Sequence, residues 1–167
     1  MCIWLDTFKP MSRRGQSTSG LRETIVYGVS IINIYTGKSS MFQHETTFYM
    51  NVSTFDELER YVSVFTPSEV IIISPFEPAD VRTIIQFIGL HTQNIHLLDA
   101  SDKKVSRCTS EKYLREIISS FYGDDTYDLC SEFRKDNLAT QSLCYLLNFV
   151  QEHNPALVKK ISCPDFS

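Results

Sequence analysis

A chain of 167 residues with 43% hydrophobic and 22% charged side chains has the makings of one globular domain. Its formal net charge of −4 argues against a dedicated nucleic-acid surface, which depends on a basic excess. Five cysteines at irregular spacing, none in a C-x-x-C pair, argue against a disulfide framework or a zinc knuckle; free thiols point to a reducing, intracellular compartment, and no apolar run is long enough to span a membrane.

Cys2 to Leu5 reads as a strand with no lead-in, and Cys163-Pro164-Asp165-Phe166-Ser167 stops as abruptly, so both ends look cut from a longer polypeptide. Residues 9 to 20 are polar and rich in Ser and Gly, the composition of a flexible surface loop. Arg13-Arg14 within it could touch phosphate or sit on a solvated loop tip. Thr24 to Tyr35 is rich in Ile, Val and Tyr, and Ser40 to Met50 alternates, with Met41, Thr47 and Tyr49 on one face and Phe42, Phe48 and Met50 on the other. Thr36-Gly37-Lys38-Ser39 between them predicts a hairpin whose glycine takes a positive φ.

After Asn51 the period changes to that of a helix. Phe55, Leu58, Val62 and Phe65 share one helical face, and Thr54 with Glu57 has the spacing of a capping box. Thr66-Pro67 ends this helix, because the residue before proline avoids the α region. Val70-Ile71-Ile72-Ile73 is a short, wholly apolar, β-branched run, the mark of a strand covered on both faces. Val81, Ile84, Ile85 and Ile88 mark a second helix, stopped by Gly89, and Asn94 to Leu98 another short strand. Tyr113, Leu114, Ile117, Ile118 and Phe121 mark a third helix with Thr109 or Ser110 as its cap and Gly123 at its end. Ala139, Leu143, Leu146, Leu147 and Val150 mark a fourth, from about Asn137 to His153, terminated by Asn154-Pro155.

Three antiparallel strands thus precede two strands reached through helical crossovers, which make parallel neighbours with right-handed connections. This is the layout of an α/β, RNase H-like fold: a five-stranded mixed sheet, three strands antiparallel and then two parallel, flanked by helices. Residues 1–167 read as a single domain, with 155–167 as an exit segment toward a following one.

Such a fold invites a nuclease reading, which needs several carboxylates converging on two divalent ions. The long strand offers Asn33, a neutral amide, and Glu45, Asp99, Asp102, Asp124, Asp125 and Asp128 are scattered. Solvated loop carboxylates are the better reading, and no metal ligand is assigned. Gly37-Lys38-Ser39 lacks the glycine that a P-loop needs five residues earlier, where Ile32 stands, and it joins two strands rather than opening a helix. The histidines His44, His91, His96 and His153 lie in different elements without ligand spacing. Neither a nucleophile elbow nor a cysteine with a partnering base is present, so no catalytic residue is assigned. Lys103-Lys104 with Arg107 forms a basic cluster on a predicted loop, a candidate contact for an acidic partner or a phosphate backbone.

The combination of segments resembles the connector, or second, domain of MutS-type DNA mismatch-recognition proteins. Gly28-Val29-Ser30 with Asn33-Ile34-Tyr35-Thr36-Gly37-Lys38-Ser39 resembles that family's opening strand and hairpin. Thr66-Pro67-Ser68-Glu69-Val70-Ile71 resembles its step into the next strand, Phe121-Tyr122-Gly123 its aromatic–glycine helix end, and Ala139-Thr140-Gln141-Ser142-Leu143-Cys144-Tyr145-Leu146 its following helix. The likeness runs in order along nearly the whole chain. Asn33 stands where the family usually has Asp, and Gln141 or Ser142 where a Gly is common, the marks of a divergent branch.

What the resemblance implies is a non-catalytic connector. No Walker motif occurs here, so ATP and magnesium would belong to the parent protein, as would mismatched DNA, held through the parent dimer. The implied partners are neighbouring domains and a MutL-like protein, which docks in the family on a surface including the third helix. Arg115 and Glu116 are the positions here that would face it. The alternatives are an RNase H-like metal-dependent nuclease and an adaptor unrelated to repair.

Overall fold

The computed structural model describes residues 1–9 and 22–166. The loop expected at 9–20, with Arg13 and Arg14, lies outside these residues apart from Lys9. In chain order the strands are β1 (Cys2–Phe8), β2 (Thr24–Ile32), β3 (Ser39–Thr47), β4 (Val70–Ile73), β5 (Ile95–Leu98) and β6 (Asp165–Phe166). The helices are α1 (Asp56–Phe65), α2 (Pro78–Phe87), α3 (Lys103–Ser106), α4 (Glu111–Tyr122), α5 (Thr126–Leu129), α6 (Glu132–Lys135) and α7 (Asn137–His153).

The strands form one mixed sheet in the order β5-β4-β1-β2-β3-β6, flanked by helices on both faces, an α/β architecture. β2 runs antiparallel to both of its neighbours, β1 and β3, while β4 runs parallel to β1 and β5 parallel to β4. The pleat divides the apolar residues between two cores. Cys2, Trp4, Val26, Met41, Ile71 and Ile73 face α4–α7, and Ile3, Leu5, Ile25, Tyr27, Val70 and Ile72 face α1 and α2. Full burial of each Ile or Leu contributes about 2 kcal/mol. This is why the apolar run of β4 lies next to the central β1, covered on both sides.

Among the described residues the sheet has six strands where five were expected. The sixth, β6, pairs in parallel with Ser40 and Met41 at the start of β3. Two residues carry no readable period, and β6 is held by distant contacts. The Ser162 amide donates to the Gly37 carbonyl at 2.8 Å, and the Ser39 hydroxyl donates to the Ser162 carbonyl at 2.8 Å. Phe166 meets Phe133 edge-on, with ring centroids 5.3 Å apart. The segment 155–166 therefore runs back along the sheet edge. Gly37 has φ 74° and a second reason to be glycine, because a Cβ there would sit 1.9 Å from the Lys160 carbonyl oxygen.

Other differences are local. β2 ends at Ile32 because the Asn33 side chain turns the hairpin, accepting the amides of Tyr35 and Thr36 at 2.9 and 3.2 Å. β3 ends at Thr47 rather than Met50, where Asn51 N–H donates to the Tyr49 carbonyl. The Thr54–Glu57 capping box does not form. A single 3-10 turn, Ser53–Phe55, precedes α1, and Asn51 caps it by accepting the Thr54 amide at 3.1 Å. The Thr54 hydroxyl is engaged by the Tyr49 amide instead. Lys103 and Lys104 lie on a short helix rather than a loop, since Asp102 caps α3 by accepting the amides of Lys104 and Val105. Arg107 opens the 3-10 turn that follows. α4 has Ser110 as its cap and Gly123, at φ 111°, at its end, and α7 spans the expected residues.

Candidate functional site

α7 is the element that organises this molecule. It lies across β1, β2 and β3, and its N-terminus sits directly on Gly28. No side chain of its own caps it. The Gln43 side chain, reaching from β3, accepts the Ala139 amide at 3.0 Å. Gln43 is the register partner of Gly28, so one cross-strand pair provides both the gap and the acceptor for the helix end. Thr140 and Ser142, both buried, satisfy their hydroxyls on the Phe133 and Ala139 carbonyls at 2.7 Å. These polar residues are compatible with burial only because each is paired.

The outer end of α7 forms one wall of a groove of about 140 Å³, lined by Lys104, Arg107, Tyr145, Asn148, Phe149, Glu152 and His153. Lys104 is tied to Glu152 at 2.9 Å, and that ammonium holds the exposed Glu152 carboxyl below its ordinary range. The Arg107 guanidinium lies 5.3 Å from the Tyr113 ring centroid, and the Tyr113 hydroxyl accepts the Asn148 amide at 2.8 Å. His153 stacks on Phe149 and its Nδ1 is 2.8 Å from the Phe149 carbonyl. The basic cluster anticipated from the sequence is thus partly neutralised within the fold. Lys103 remains exposed on the outside of α3.

Arg115 and Glu116 are on α4, and their settings differ. The Arg115 Nη1 donates to both Asp128 carboxylate oxygens at 2.6 and 2.7 Å, and the guanidinium lies 4.6 Å from the Tyr127 ring centroid and 3.7 Å from Glu111. It clamps α4 to α5. Glu116 is exposed. The pairing of Arg115 with Asp128 has no helical spacing to announce it, because Gly123 breaks the helix between them.

Three of the acids weighed as metal ligands have structural partners: Asp102 caps α3, Asp99 accepts the Ser101 amide and Asp128 holds Arg115; Glu45 lies on β3 opposite Val26. His96 is 3.0 Å from Glu69 beside the exposed β5, a contact visible only once β4 and β5 are in register. Among the described residues, no three His, Cys, Asp or Glu side chains come together as a metal-holding group. No described helix is long and apolar enough to cross a membrane. A second depression, about 350 Å³, lies between the C-terminal ends of α1 and α2 and is lined by Val62, Thr66, Pro67, Ile88 and Leu90 among others.

The sequence matches no protein-family model and no curated protein at a significant level.

Proposed function

We propose that this chain is a non-catalytic connector domain, RNase H-like in fold, of a MutS-like clamp that recognises mismatched DNA. It acts by shape, carrying changes of state between neighbouring domains and offering a face to a MutL-like partner. The observation that carries the reading is the join between Gly28 and α7. Two of the segments that resemble the family, Gly28–Ser39 and Ala139–Leu146, are far apart in the chain, yet they meet in the fold. The meeting is backbone to backbone, with Gln43 bridging it. A part that transmits force needs such a stiff coupling between sheet and helix, because close-packed interfaces pass displacement on rather than absorbing it. The sheet order, with β4 and β5 parallel to β1 and with β2 antiparallel to both β1 and β3, supports the fold assignment.

In this reading Glu116 is a direct contact for the partner, and Arg115 holds α5 in place behind it through Asp128. ATP and its magnesium belong to the parent's ATPase domain. The free thiols suit a reducing intracellular compartment.

The native protein decides. Antibodies raised against this chain should capture a polypeptide well above 19.2 kDa whose ATPase activity responds to mismatched DNA. A captured protein without ATPase activity overturns the proposal. So does magnesium- or manganese-dependent cleavage of nucleic acid by the purified chain, which would favour the nuclease. Capture of a MutL-like partner should weaken with Glu116→Ala; equal capture by wild type and an Arg115→Ala/Glu116→Ala double variant removes the docking assignment.

A further inference from the structure

The depression between the C-terminal ends of α1 and α2 carries charge of one sign. Glu59, Val62, Ser63 and Thr66 follow one another at i, i+3, i+4 and i+7, a single stripe of α1, and all four line it. Residues 88–92, the chain leaving α2, line the opposite side. Both helices end here, each with the negative end of its dipole and carbonyls that no further turn satisfies. The Thr66 N–H donates to the Val62 carbonyl at 2.8 Å, and Pro67 has no N–H to offer Ser63. The carbonyls of Ser63, Val64 and Phe65 therefore accept no backbone amide among the described residues, and neither does that of Phe87. A basic residue commonly answers such an end, but the last turn of neither helix holds one. No Lys or Arg lines the depression, and the nearby Arg60 is paired with Glu57 at 3.4 Å. A Cβ on Gly89 would meet nothing within 4 Å, so this side stands open.

We propose that this depression docks a basic side chain, lysine or arginine, carried by a segment of a partner protein. The site matches both parts of such a side chain. Val62, Pro67, Ile88 and Leu90 offer apolar surface to the aliphatic stem. Glu59 and the open carbonyls at the end of α1 answer the cationic head. The volume of about 350 Å³ is in the lower part of the range of ligand pockets, which suits one long side chain. An acidic or phosphate-bearing ligand is disfavoured, because two helix C-termini and a carboxylate repel it. The net charge of −4 draws a basic partner from a distance as well. The proposal is independent of the connector reading, since α1 and α2 cover one face of the sheet while α4, with Glu116, covers the other.

The test is an NMR titration of the full 167-residue chain with the N-acetyl methylamides of lysine and arginine, at neutral pH and low salt. Amide signals of residues 59–66 and 88–92 should move and saturate. N-acetyl-norleucine methylamide has the stem without the charge and should bind at least about fivefold more weakly. Glu59→Gln should weaken the charged probes about threefold. Ser63→Lys sets a cation one turn from Glu59 at an exposed position, and should weaken them by about tenfold or more. The proposal is overturned if norleucine binds as well as lysine, or if the largest shifts fall outside these residues. It is equally overturned if no signal saturates. These three results are read on wild type, so they stand even if a variant folds poorly.

Discussion

The place where a Gly28 side chain would begin is occupied by the main chain of Ala139: a Cβ on Gly28 would lie 2.3 Å from the Ala139 nitrogen. The obstacle is backbone at a helix N-terminus, which cannot rotate away. Gly28→Ala should therefore lift α7 off the sheet and cost about 3 kcal/mol or more. Urea unfolding of the variant checks this. Gly89→Ala is the control. Gly89 has φ 67° but nothing within 4 Å of an added Cβ, so only backbone strain of about 1–2 kcal/mol is expected. Equal losses for the two variants would refute the close-packed join.

The amide of Ala139 depends on Gln43 for its acceptor. Gln43→Ala should cost about 1 kcal/mol, the usual worth of one such bond. Gln43→Glu keeps an acceptor and brings a negative charge to the positive end of α7, so it should be neutral or stabilising at pH 7. Thermal melting of both variants, with amide exchange at Ala139, separates the lost bond from a general loosening.

Thiol reactivity should sort the cysteines by position. Burial pushes the Cys108 thiol up to about 12 and raises Cys2 and Cys144 as well. In the native reduced protein, alkylation should reach Cys163 first and Cys130 next. Cys2, Cys108 and Cys144 should lag by about 100-fold or more, because they react only when the core opens. Mass spectrometry of a timed alkylation reads the order directly, and fast labelling of Cys144 would contradict the burial under α7.

The Lys104–Glu152 pair carries a pH signature. Its hydrogen bond depresses the Glu152 carboxyl below the ordinary value of 4.5. A depressed carboxylate adds stability at pH above its unfolded value, and that contribution fades as pH falls through the lower folded one. Both groups are exposed, so the effect is small and shrinks with salt. An NMR titration of Glu152 should show a midpoint below the ordinary value. Lys104→Gln should move it upward, although Arg107 and His153 nearby retain part of the depression.

The β-branched run at Val70–Ile73, the helical periods of α1, α2, α4 and α7, and the glycines at 37, 89 and 123 were all legible, because each is written within a few consecutive residues. The short helices α3, α5 and α6 were not, since one turn of helix offers too few residues for a period. The Thr54–Glu57 box was a correct local pattern displaced by a competing cap, Asn51, and by a hydroxyl that the Tyr49 amide had claimed.

Candidate site residues were legible as residue types but not as partners. Arg115 and Lys104 could be singled out as cations, yet only the fold showed that Asp128 and Glu152 neutralise them. The pairing of Gln43 with Ala139 and of β6 with β3 likewise joins residues far apart along the chain. By itself the sequence determined which segments become strands and helices and which of their faces are apolar, because propensity and periodicity act over a turn or a pleat. Only the tertiary structure decided which faces meet, since that depends on the volume and polarity that distant segments bring to the same place.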